Sequence, residues 1–165
     1  MLMLALAPAK HGPDLNAPLD TRPTIASEIT RGNRAAFDCS LQHVADALSF
    51  SQCVSDAIST DEQRQPNSLP FTVGAYWGEC EHEALMVKSD SELAATNSIA
   101  AEELPSAQRE LASCYGVFRH YQQKLGVTDE QLTGADDDIT PAGRQMLLNQ
   151  LHSWEKQPPN TPPAS

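Results

Sequence analysis

The residues of this chain whose types first invite chemistry are its four cysteines, Cys39, Cys53, Cys80 and Cys114, and two of its histidines, His43 and His82. The cysteines could form two disulfides in any of three pairings. The rival is a tetrahedral Cys2His2 zinc set, with Cys39 and His43 one helical turn apart and Cys80 and His82 close together on another segment. Neither pair has Cys-x-x-Cys spacing, and a step of two from Cys80 to His82 fits one helical face poorly. Disulfides are therefore expected, and no cofactor.

Other groups are weaker candidates. Cys114 and His120 are six apart, which puts them on opposite sides of a helix and argues against a nucleophile and base pair. Glu79, Glu81 and Glu83 with His82 form the densest ionisable cluster, which reads as alternating carboxylates on a solvated face. Asp136, Asp137 and Asp138 lack the order of a calcium loop and read as an acidic cap ahead of the last helix. Phe71, Tyr76 and Trp77, in a glycine-containing segment, are the candidate binding residues, with core packing as the alternative. There is no G-x-S-x-G, P-loop, dinucleotide or Cys-x-x-Cys motif, so the sequence leans away from an enzyme.

The elements that must position these residues are helices. Phe37, Leu41, Val44, Leu48, Val54 and Ile58 recur at helical spacing with no Gly or Pro between Ala35 and Thr60, which predicts one long helix there. A polar turn at 61–67 follows. Leu69 to Val87 steps by three or four, although Gly74 and Gly78 beside Phe71-Thr72-Val73 leave a strand or loop open for its first half. Ser89 with Glu92 has capping-box spacing and predicts a new helix start, ending near Leu104, with Pro105 opening the next. That next helix carries the stripe Ala107, Leu111, Cys114, Tyr115, Phe118, Tyr121 and Leu125 and stops at Gly126. Thr128 with Gln131 starts a short helix, and Thr140-Pro141 starts the last one, with Met146, Leu147, Leu151 and Trp154 on one side.

The fold class is thus all-α, an up-and-down bundle of about four to five helices stapled by disulfides. On one continuous helix Cys39 and Cys53 lie 14 residues apart, roughly 21 Å along the axis, too far to be bridged. An antiparallel return after the turn at 61–67 then favours Cys53–Cys80 and leaves Cys39–Cys114.

Of the 165 residues, 22 are Asp or Glu and 11 are Lys or Arg, a formal net charge of -11 and a pI near 4.7. That balance disfavours nucleic acid and anionic lipid and steers a basic protein partner toward the surface. No run approaches the roughly 18 apolar residues that span a bilayer, so no membrane span is expected. Residues 1–9 resemble the end of a secretory signal, with Ala7-Pro8-Ala9 as an A-x-A pattern. Residues 10–24 read as an extended leader, 25–156 as one helical domain, and 157–165 as a proline-rich disordered tail. Cysteine usage and the signal-like start point to a periplasmic or secreted protein, with a cytoplasmic one as the alternative. The functional expectation is an exported, non-enzymatic binding, adaptor or inhibitor module. A cytosolic acidic chaperone or immunity-type inhibitor comes second, and a metal-dependent or hydrolytic enzyme third.

Overall fold

Thr24 opens the first helix: its hydroxyl accepts from the Ser27 amide at 2.9 Å, and α1 (Ile25–Gln42) runs on from that cap. The computed structural model describes residues 24–43, 46–136 and 138–155. Five further helices follow: α2 (Ala47–Arg64), α3 (Leu69–Leu93), α4 (Ser98–Leu125), α5 (Asp129–Thr133) and α6 (Pro141–Trp154). The all-α helical bundle predicted from the sequence is what forms, with six helices among the described residues rather than four or five. The expected signal remnant at 1–9, nearly all of the leader, and the tail at 157–165 lie outside the described residues.

The long helix predicted over 35–60 is in fact two helices. α1 closes at His43, whose amide donates to the Cys39 carbonyl at 3.0 Å, and α2 opens at Asp46, whose Oδ1 accepts from the Ser49 amide at 3.2 Å. No Gly or Pro marks the break. The signal is Asp46 three residues ahead of Ser49, an N-cap inside an apparently unbroken apolar period. That period was itself misleading, because Phe37, Leu41 and Leu48 are exposed, Leu48 by 81%. Ile29, Ala36 and Cys39 on α1 and Phe50, Val54 and Ile58 on α2 are the buried residues instead.

With the chain broken there, α2 runs back along α1. Cys39 and Cys53 come to 5.8 Å between Cα atoms and form a disulfide. Cys80 and Cys114 form the other, at 5.6 Å, tying α3 to α4. The expected pairing of Cys53 with Cys80 and Cys39 with Cys114 is therefore wrong, and its physical cause is the assumed continuity of one helix. In the chain-entropy account, closing loops of 14 and 34 residues stabilises by about 3 and about 4 kcal/mol.

α3 is helical throughout, and its glycines have a packing reason. A Cβ on Gly74 would overlap the backbone carbonyl of Ile29, and one on Gly32 the carbonyl of Phe71. A Cβ on Gly78 would stand 2.6 Å from that of Ala36. These three bare positions let α1 and α3 cross backbone to backbone. α3 also continues through Ser89 and Glu92 to Leu93, so no helix starts there. The true N-cap is Asn97, whose Oδ1 accepts from the Ile99 and Ala100 amides at 2.9 and 3.1 Å. Pro105 consequently lies inside α4 rather than at a helix start, and leaves the Ala101 carbonyl without its intrahelical donor.

The remaining boundaries follow the sequence signals. Gly126 closes α4 with a left-handed φ of 80°, Thr128 and Gln131 form a reciprocal capping box on α5, and Thr140 with Pro141 starts α6. One core gathers Ile29, Val73, Trp77, Leu111, Phe118, Leu151 and Trp154. A second gathers Ala36, Phe50, Val54, Ile58 and Phe71 around the Cys39–Cys53 bridge. No helix among the described residues is long and apolar enough to cross a membrane.

Candidate acidic groove between helices 2, 3 and 4

Glu79 and Glu83 are one turn apart on α3 and share a face, while Glu81, two residues from each, points to another. The Cys80–Cys114 bridge sets the register of α3 against α4. Three residues onward on α3 is Glu83, and four residues back on α4 is Glu110, so antiparallel helices bring these two carboxyl groups together. Glu110 acts on the Glu83 carboxyl as a neighbouring like charge; Glu83 is 5% exposed, whereas Glu110 is exposed.

Both groups line a cavity of about 440 Å³ between the start of α2, α3 and α4, with Glu79, Tyr76, Leu48 and Val117. A second cavity of about 250 Å³ shares Ala47, Glu83 and Glu110 and adds His82, Asp90 and Glu103. The result is a groove with carboxyl groups on its floor and the exposed apolar side chains Leu48, Met86 and Val117 at its margins.

The electrostatics follow from burial. Desolvation, with the like charges of Glu110 and Glu79 beside it, pushes the Glu83 carboxyl up to about 8, so at neutral pH it holds a proton. Burial also raises Glu79, whose Oε1 accepts from the Ser51 hydroxyl at 3.0 Å. Glu81 faces α1 instead, accepts from Asn33 Nδ2 at 2.6 Å, and is raised by burial too. His82 packs against the Phe50 ring at 4.3 Å, and burial holds its imidazole below the ordinary value. The reading of these glutamates as a solvated face is thus corrected: Glu83 is buried, and Glu79, Glu81 and His82 are half-buried.

Among the described residues no N–H or hydroxyl group donates a hydrogen bond to the Glu83 carboxyl, and Glu110 is its carboxyl neighbour. A carboxyl pair so placed can hold a proton or accept a cation that brings its own donors.

The other candidates fall elsewhere. Phe71 is buried in the α1–α2–α3 core and Trp77 in the main core, so only Tyr76 of the three candidate binding residues reaches the groove. Tyr76 is half-buried and stacks on Tyr121 at 5.2 Å between centroids. The zinc set is not assembled: the sulfurs of Cys39 and Cys80 are bound in different disulfides, His43 caps α1 and His82 lies on Phe50. No group of three or more His, Cys, Asp or Glu among the described residues converges on a metal position.

Glu110 was missed by sequence reading, because nothing local distinguishes it; only the Cys80–Cys114 pairing would have placed it opposite Glu83. Comparison with protein-family models, curated proteins and solved structures finds no match to this chain.

Proposed function

We propose that this chain is an exported, non-enzymatic binding module, an adaptor or inhibitor, that receives a basic side chain of a protein partner in the groove between α2, α3 and α4. The observation that carries the reading is Glu83: a carboxyl group 5% exposed, facing a cavity, with another carboxyl as its neighbour and no cation paired with it among the described residues. A buried carboxyl group beside a second carboxyl is costly to ionise without a counter-charge, and a lysine or arginine from a partner supplies both charge and donors. The apolar margin at Leu48, Met86 and Val117 suits the aliphatic stem of such a side chain. The net charge of -11 adds long-range attraction for the same partner. Two disulfides support export, since such bridges persist in oxidising compartments.

The test is a chemical-shift titration with a lysine hexapeptide. Saturable shifts should center on Ser51, Glu79, Glu83, Glu110 and Ser113, with none from a glutamate hexapeptide. Shifts spread evenly over the acidic surface would refute the groove. Thiol titration of the native protein checks the compartment: no free thiol is expected, and four would favour the cytosolic acidic inhibitor instead.

A further inference from the structure

Three of the chain's seven arginines line one cavity of about 370 Å³ bounded by α1, α2 and α3, well apart from the acidic groove in its lining residues. We infer that this cavity is a binding site for a single oxyanion, the group shared by a phosphate ester and a carboxylate.

Asp61, buried at the floor, organises the site. One of its oxygens accepts from Arg31 Nη2 and the other from Gln65 Nε2 at 2.7 Å, so its charge is spent inside the protein. Arg31 is further held by Glu28, through Nε at 2.7 Å, and lies 4.5 Å over the Phe71 ring. With Nε and Nη2 engaged, Nη1 is the edge of Arg31 left without a hydrogen-bond partner among the described residues. A guanidinium clamped on one edge and stacked on a ring is oriented before any ligand arrives.

Arg34, one turn along α1, and Arg64, in the last turn of α2, also line the cavity and make no hydrogen bond or ion pair with the described residues. The Thr60 hydroxyl beside them is likewise unengaged. Asp38 is the other carboxylate of the lining, one turn from Arg34. Glu28, Asp61 and Asp38 equal the three guanidiniums in number, but Arg31 engages the first two, so Arg34 and Arg64 face the cavity with Asp38 as the one carboxylate left unengaged. The Cys39–Cys53 bridge holds α1 and α2 together beside it. Planar guanidinium forks and a hydroxyl around one space are the donors that a phosphoryl or carboxylate group requires.

The experiment titrates the native protein with inorganic phosphate and, separately, with acetate, at ionic strength held constant with chloride, and follows backbone amides and arginine Nε–H signals. Saturable shifts confined to residues 28–38 and 57–65 are expected for at least one probe. Phosphate alone would identify a phosphoryl ligand, acetate alone a carboxylate, and saturation by both the shared oxyanion chemistry. Arg34→Gln and Arg64→Gln should each weaken binding about tenfold, as loss of a charge-assisted hydrogen bond does. Both side chains are exposed, so circular dichroism and Tm should stay unchanged; Thr60→Ala, with a smaller loss, provides a second reading. The Glu83→Gln/Glu110→Gln variant should bind the probe unchanged, which separates this site from the acidic groove. Failure of both probes to saturate, or undiminished affinity in the arginine variants, would overturn the inference.

Discussion

Burial and two neighbouring carboxyl groups all act on Glu83 in one direction, and the consequence reaches stability. The folded chain holds the Glu83 proton up to about pH 8, whereas the ordinary glutamate value is 4.5. A group whose pKa is raised by folding contributes its full stability below the unfolded value and loses it as pH climbs through the folded one. Stability should therefore decline between about pH 4.5 and about pH 8. Glu79 and Glu81, also raised by burial, add to the decline in the same sense. Glu83→Gln keeps the shape and removes the charge, so it should flatten this profile and stabilise at about pH 9 by on the order of a few kcal/mol. Urea unfolding across that range is the check, and a wild-type profile unchanged by the substitution would show that Glu83 does not hold the proton. The same protonation bears on binding, since a cation entering the groove displaces a proton.

Among the elements, the α1–α3 crossing sets the tolerance of the fold. Gly74→Ala would drive a methyl into the Ile29 carbonyl, which is backbone and cannot swing aside. A cost of about 3 kcal/mol or more is expected despite the gain of about 1 kcal/mol in helix propensity. Gly116 on α4 has nothing within 4 Å of a built Cβ, so Gly116→Ala should stabilise by about 0.5–1 kcal/mol. Thermal unfolding of the two variants should move in opposite directions. Helix existence and the caps at Gly126, Thr128 and Thr140 were legible because each depends on a few adjacent residues. The break at 43–46 was not, because exposed Phe37, Leu41 and Leu48 imitate a core stripe while the real signal is one aspartate cap. The disulfide pairing failed with it, and Glu110 stayed invisible for the same reason: its role depends on which helix lies opposite. Peptide mapping of non-reduced protein should recover Cys39 joined to Cys53 and Cys80 joined to Cys114. Recovery of Cys53 joined to Cys80 would overturn the α1–α2 hairpin.

At the scale of the whole molecule, charge is not spread evenly. Carboxyl groups converge between α2, α3 and α4, and arginines converge between α1, α2 and α3, on a chain of net charge -11. The overall field draws a basic partner in and should weaken with salt as the Debye length shortens from about 10 Å at 0.1 M to about 3 Å at 1 M. The buried Glu83 beside Glu110 then distinguishes the groove from the exposed acidic surface, since binding there exchanges a proton for a cation. The most direct measurement is calorimetric titration of the lysine hexapeptide near pH 7, in two buffers of different ionisation enthalpy, for the native protein and for Glu83→Gln/Glu110→Gln. The expected result is proton release on binding to the native protein and an affinity at least about tenfold lower in the double variant. Equal affinity in both, with no buffer dependence of the enthalpy, would contradict the acidic groove as the partner's site.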